Sequence, residues 1–276
     1  MSSRIRNARD YNRSLPAPVR WLHIALAFPA AALGWGRTPE CRWALPTVGA
    51  AAAIWLLWPL DGPISEWARS IALRGDPRRE LEAIQQFGQG TVSVLIGVAI
   101  VLAQPARARR LLDWVASAVV VGVAVNLIKP ILARPRPNVG DPETLVGPFG
   151  KLPIPSGPES YKLVSGWTAN YDLGSMPSRH AAFAVVAAVF LAAMYPRLKP
   201  LFWLLAAIVC VARVVLGAHW PTDVILGAAI AFVLSDTIVR GYLGVRTLDW
   251  LWVRLVDRQA RPALPALLAA ERGRMA

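Results

Sequence analysis

The chain has 276 residues, of which 55% are hydrophobic and only 17% charged, against roughly 25% charged in an average soluble domain. That balance excludes a disordered chain, which needs low hydrophobicity and high charge, and an ordinary soluble globule, whose surface needs more charge. The formal net charge is +13, and lysine supplies only Lys129, Lys151, Lys162 and Lys199 of the basic residues. No nucleic-acid-binding motif accompanies the many arginines, so the excess reads as positive charge held on the cytoplasmic side of a membrane rather than as a nucleic-acid footprint.

In chain order, residues 1–43 form a basic N-terminus with Arg4, Arg6, Arg9, Arg13 and Arg20, followed by a short apolar stretch over 21–36 that contains Pro29. A crossing there would carry five arginines outward, so the expectation is an interfacial or re-entrant helix, with a cleaved signal peptide as the alternative. Six apolar runs then approach the roughly 17–25 residues a crossing helix needs. They cover 44–60, 87–103, 111–128, 178–195, 201–217 and 224–239. None alternates as a barrel strand does. The expected fold is all-α: a polytopic six-transmembrane-helix bundle over 44–240, an extra N-terminal interfacial helix and a basic cytoplasmic tail over 241–276. Cys41 and Cys210 support neither a disulfide framework nor a cysteine metal site.

The connections fix the orientation. Arg107, Arg109 and Arg110 fill one turn, Arg197 and Lys199 another, and the tail beyond Val239 is arginine-rich. Alternation puts all three on one face, which the positive-inside rule makes cytoplasmic. The opposite face receives 61–86, expected as short amphipathic helices on the interface, and the proline- and glycine-rich stretch 133–177. That stretch is expected to be irregular and folded over something, because it is long for a connection and carries Phe149, Tyr161, Trp167 and Tyr171.

Ionisable residues at span ends are expensive and need a reason. Lys129 and Arg136 end the third span, Ser178, Arg179 and His180 open the fourth, Arg213 ends the fifth, and His219 and Asp223 open the sixth. All fall on the outer face. So many cations beside two imidazoles and one carboxylate would repel without an anion between them, and phosphate fits best. Prolines around Arg136 stop the helix and hold an extended segment. Ser178 is a good N-cap, with free N–H groups behind it that attract an anion. The i, i+4 spacing lets Asp223 reach His219, fix its tautomer and leave its other nitrogen as a nucleophile.

These three clusters resemble the signature motifs of the type 2 phosphatidic acid phosphatase superfamily. Lys129, Arg136 and Pro137 match Lys-x6-Arg-Pro. Pro177, Ser178 and His180 match Pro-Ser-Gly-His, with Arg179 in place of glycine. Arg213, His219 and Asp223 match Ser-Arg-x5-His-x3-Asp, with Ala212 in place of serine. The resemblance covers roughly 44–239. It implies a metal-independent lipid phosphate phosphatase without a cofactor. His219 attacks phosphorus and Asp223 orients it; His180 protonates the leaving oxygen and then activates water. Lys129, Arg136, Ser178, Arg179 and Arg213 bind the phosphate. Phosphatidic acid, phosphatidylglycerophosphate, undecaprenyl diphosphate and lipid A phosphates all remain open as substrates. A lipid phosphotransferase and a non-catalytic lipid-anion transporter on the same scaffold are the alternatives. The implied partners are the lipid substrate and membrane lipids. The implied location is the inner (plasma) membrane, with the site on the outer, periplasmic face and both termini cytoplasmic.

Overall fold

The computed structural model describes residues 39–71, 73–157, 160–168 and 171–272. The expected interfacial helix over 21–36 lies outside them. The chain is a multi-pass, mostly helical membrane protein. Four helical stretches among the described residues are long and apolar enough to cross a bilayer: Arg42–Ser70, Pro105–Leu132, Pro196–Val215 and Pro221–Gly241. Counting Asp76–Gly88 and Gly90–Ala103, bent by 65° at their junction, as one span makes five. Arg179–Met194 is apolar but shorter. Each of the six runs singled out by hydropathy is helical.

Helix α1 (Pro39–Leu57) continues through a 3-10 turn at Trp58–Leu60 into α2 (Asp61–Ser70), and α3 (Asp76–Ile84) follows. A 3-10 turn, Gln85–Gly88, and an extended Gln89 separate α3 from α4 (Gly90–Ala103). Pro105 opens the arginine-rich turn Pro105–Arg110 that leads into α5 (Leu111–Leu132). After the long connection come α6 (Arg179–Met194), α7 (Lys199–Val215), α8 (Pro221–Gly241), α9 (Leu243–Leu255) and α10 (Leu264–Arg272).

Helix α6 is the axis of the bundle. Its Ala181, Ala182, Ala184, Ala187, Ala188, Val186 and Phe190 are fully buried, and it packs against α5, α7 and α8. A helix that is apolar all round belongs in the interior, and small side chains let its neighbours approach closely. The outer helices show the converse pattern. Leu102 of α4 is 78% exposed and Leu127 of α5 is 62% exposed, as expected of surfaces that meet lipid chains rather than water.

The connection between α5 and α6 departs from the irregular expectation. It contains an antiparallel hairpin, β1 (Leu152–Gly157) paired with β2 (Ser160–Val164). Prolines 153 and 155 lie on β1; a strand with a free edge tolerates them because their missing N–H groups need not pair. Ile154 and Val164 turn inward and share a small core with Ala133 and Leu173. Gly166 comes so close to the Pro130 carbonyl that a side chain there would collide. The hairpin's base is thus seated on the C-terminal end of α5.

Candidate active site

The site lies where that end of α5, the start of α6, the end of α7 and the start of α8 converge. Lys129 is in the last turn of α5, and Ala133 ends the helix in the left-handed conformation. The following Arg134-Pro135-Arg136-Pro137 segment is extended, as the alternating prolines require. Ser178 is the N-cap of α6, with its backbone N–H donating to the Asp223 carbonyl at 2.9 Å. This close approach needs Gly227, where an added methyl would strike the Ser178 carbonyl, and Gly88, where one would strike the His180 carbonyl.

His219 is 2% exposed. Its Nδ1 lies 2.7 Å from the carbonyl oxygen of Ser175. A carbonyl only accepts, so Nδ1 carries the ring proton and Nε2 presents a lone pair. Burial pushes the imidazole down to about 3; Asp223 pulls it up, while Arg136 and Lys129 push it further down. The ring is therefore neutral at physiological pH.

Asp223 behaves differently from the expectation of a direct contact. Its Oδ2 is 3.7 Å from His219 Nδ1, beyond hydrogen-bonding range. The carboxylate is already occupied. Oδ2 accepts from the Ser175 hydroxyl and from the Trp220 backbone N–H at 2.9 Å, and Oδ1 accepts from Arg134 at 2.8 Å. Asp223 thus holds Ser175, and the Ser175 carbonyl holds His219.

The cations form the opposite wall. Lys129 donates to the Gly174 carbonyl. Arg136 donates from Nε to the Tyr171 carbonyl at 2.9 Å and from its terminal nitrogen to the Ala218 carbonyl at 2.7 Å, and it stacks on the Tyr171 ring at 3.8 Å. Arg213 donates to the Gln85 side-chain carbonyl. Among the described residues each of the three is anchored to a neutral oxygen and none touches a carboxylate; Asp223 acts on Lys129 and Arg136, and Asp172 on Arg136, only from a distance. Lys129 feels Arg136, Arg179 and Arg213, and His180 feels all four. Ser178 Oγ and Arg213 Nε are buried donors with no hydrogen-bond partner among the described residues. Orphan donors among unbalanced cations describe the complement of an oxyanion.

His180 is half-buried beside the cations, and its Nε2 lies 3.1 Å from Gln89 Nε2. Arg179 is exposed at the first position of α6. The structure thus gathers Lys129, Arg136, Ser178, His180, Arg213, His219 and Asp223 in one place, with Arg179 at the rim. Among the described residues no group of three or more His, Cys, Asp or Glu has metal-site geometry.

Sequence reasoning missed Asp61, Arg134, Ser175, Gln85 and Gln89. Asp61 had a signal, as a lone carboxylate in an apolar stretch. Arg134 had one too, two residues before Arg136 in the same proline-spaced segment. The glutamines repeat at i, i+4 before an apolar run. Nothing local marks Ser175, whose role is carried mainly by its backbone carbonyl.

The family profile described as the PAP2 superfamily matches residues 110–244, which contain all three clusters. A decaprenylphosphoryl-5-phosphoribose phosphatase of Mycolicibacterium smegmatis is 32% identical over 146 residues, covering 52% of this chain and 68% of that protein. A solved transmembrane PAP2-type phosphatidylglycerolphosphate phosphatase from Bacillus subtilis is 22% identical with a TM-score of 0.47, over 71% of this chain and 90% of that one. The chain belongs to the PAP2 superfamily, as a phosphoric ester hydrolase built on membrane-spanning helices.

Proposed function

We propose that the protein hydrolyses a phosphomonoester or diphosphate of a membrane lipid through a phosphohistidine on His219. One observation carries this reading: the Ser175 carbonyl accepts a hydrogen bond from Nδ1–H of a buried, neutral His219, leaving a nucleophilic Nε2 beside three cations tied only to neutral oxygens. In the first step Nε2 donates its electron pair to phosphorus and the bond from phosphorus to the lipid oxygen breaks. His180, protonated in the complex where the phosphate dianion supports an imidazolium, gives that oxygen its proton. In the second step His180 takes a proton from water, whose oxygen attacks phosphorus. The P–N bond breaks, and phosphate leaves.

Lys129, Arg136, Arg213, the Ser178 hydroxyl and the N–H groups opening α6 neutralise the equatorial oxygens. Phosphoryl transfer needs chiefly this positioning and charge stabilisation. Side-chain cations fill the role that a divalent ion fills elsewhere, so the reading includes no metal. Full activity in excess EDTA is the expected outcome; loss on chelation, restored by magnesium, refutes it.

The arginine distribution supports six crossings with α6 as the fourth, both termini cytoplasmic and the site at the outer face of a bacterial-type inner membrane. The Mycolicibacterium relative's name supports a phosphate on a polyprenyl-linked headgroup as the first substrate to try. The test is phosphate release from a panel comprising phosphatidic acid, phosphatidylglycerophosphate, undecaprenyl diphosphate and a polyprenylphosphoryl sugar phosphate. His219→Ala is run beside the parent, and its turnover is expected to fall about 10⁴-fold or more. Near-normal phosphate release would sink the mechanism.

A further inference from the structure

Behind the site lies a buried ionic cluster that the chemistry above leaves unused. Arg134 is fully buried. Its terminal nitrogens reach Asp223 Oδ1 at 2.8 Å, Thr222 Oγ1 at 2.7 Å and Asp61 Oδ2 at 2.7 Å, and its Nε reaches the Pro142 carbonyl at 2.9 Å. The guanidinium lies over the Trp58 ring at 4.2 Å. Asp61 is equally buried; it also accepts from the Thr222 backbone N–H at 3.0 Å and from the Thr222 hydroxyl. The Arg134 carbonyl accepts from the Ser175 backbone N–H at 3.1 Å. Arg134 therefore grips Ser175 twice: directly by its carbonyl, and through Asp223 by its guanidinium.

We propose that Asp61 and Arg134 are positioning residues that keep the charge of Asp223 available to His219. The inference rests on the phosphohistidine reading above. When Nε2 bonds to phosphorus with Nδ1 still protonated, the imidazole ring becomes positive. A negative charge 3.7 Å away stabilises it. Arg134 alone would cancel Asp223. Asp61, as a second carboxylate on the same guanidinium, leaves the trio with one net negative charge while all its polar atoms stay hydrogen-bonded. A half-satisfied version would be costly. Asp61 sits on α2, outside the residues matched by the family profile, so the N-terminal helices become part of the catalytic apparatus.

The assay is steady-state hydrolysis of phosphatidic acid or geranylgeranyl diphosphate in detergent micelles, whichever the parent turns over faster. Asp61→Asn keeps the shape and removes the charge. Its kcat should fall about tenfold to a hundredfold with KM within about threefold, because phosphate binding rests on other residues. Asp61→Glu restores the charge at some geometric cost and should recover more kcat than Asn. Should Asp61→Asn fail to fold, Thr222→Val removes one bridging hydroxyl and no charge; it should lower kcat about threefold to tenfold, again with KM unchanged. Parental kcat in Asp61→Asn, or Asn outperforming Glu, overturns the proposal, as does a joint change of kcat and KM. His219→Ala separates the two levels: if it stays active the phosphohistidine reading falls, whereas if it is inactive and Asp61→Asn is normal only the positioning inference falls.

Discussion

Helix α5 carries a buried ionic cluster at each end, and the two are built on opposite principles. At its start Arg110 pairs with Asp113 and donates to the Val239 carbonyl at 3.1 Å. Asp113 Oδ1 accepts from the backbone N–H groups of Gly244 and Val245 at 2.8 and 3.2 Å, and so closes the N-terminus of α9. Cation and carboxylate meet directly, and the carboxylate also caps the helix end. About 24 Å away along the helix, Lys129, Arg136 and Arg213 meet only neutral oxygens. Buried charge alone is therefore no sign of function in this molecule. The sign is several buried cations gathered with no carboxylate in direct contact.

That contrast is broken most directly by exchanging its terms. Lys129→Ala removes a cation that touches no carboxylate and should cost about 10²–10³ in turnover. The melting temperature should hold or rise, since mutual repulsion is relieved. Asp113→Asn removes one half of a matched pair and should cost about 3–5 kcal/mol of stability, with KM unchanged in whatever protein remains folded. Thermal melts and kinetics of both variants decide. If Lys129→Ala loses stability while keeping activity, the cation wall is merely structural.

A second test sharpens the comparison through pH. His219 is held neutral in the folded protein, its pKa lowered to about 3 chiefly by burial, whereas the unfolded chain takes up a proton near the ordinary value of about 6.5. Below that value the unfolded state binds more protons, so stability falls as pH falls and is fully present only above it. Between about pH 6.5 and 4.5 this group should remove roughly 2–3 kcal/mol. His219→Gln should flatten that slope in a melting-temperature series. A slope unchanged by the substitution would mean that other groups carry it.

The helices and the cation wall were legible in the sequence for one physical reason. Hydropathy over twenty residues and charge at the ends of spans are local quantities, and both are expensive enough in a bilayer to leave a strong mark. Three features were not legible. The hairpin Leu152–Val164 hides behind prolines that argue against strands. The two-carboxylate grip on Arg134 joins residues 61, 134 and 223, whose meeting depends on tertiary packing. The partner of His219 is a backbone carbonyl, which every residue has, so the i, i+4 spacing favoured Asp223 when Ser175 makes the contact.

The smallest expected effect tests where the unbalanced cluster ends. Arg179 stands where the family motif has glycine, exposed at the opening of α6 and within electrostatic reach of Lys129, Arg136 and His180. Ser178 beside it is fully buried, so consecutive residues divide between the buried cluster and its rim. A guanidinium at that rim can hold a second phosphate or a charged headgroup bidentately. Losing one charge-assisted hydrogen bond costs about 1.5–3 kcal/mol. Arg179→Gly should therefore lower kcat/KM for a polyprenyl diphosphate by roughly one to two decades relative to phosphatidic acid. An equal loss on both substrates would move Arg179 inside the site, onto the reacting phosphate. No loss on either would return it to the many arginines that only extend their stems along the membrane and leave their charge in the headgroups.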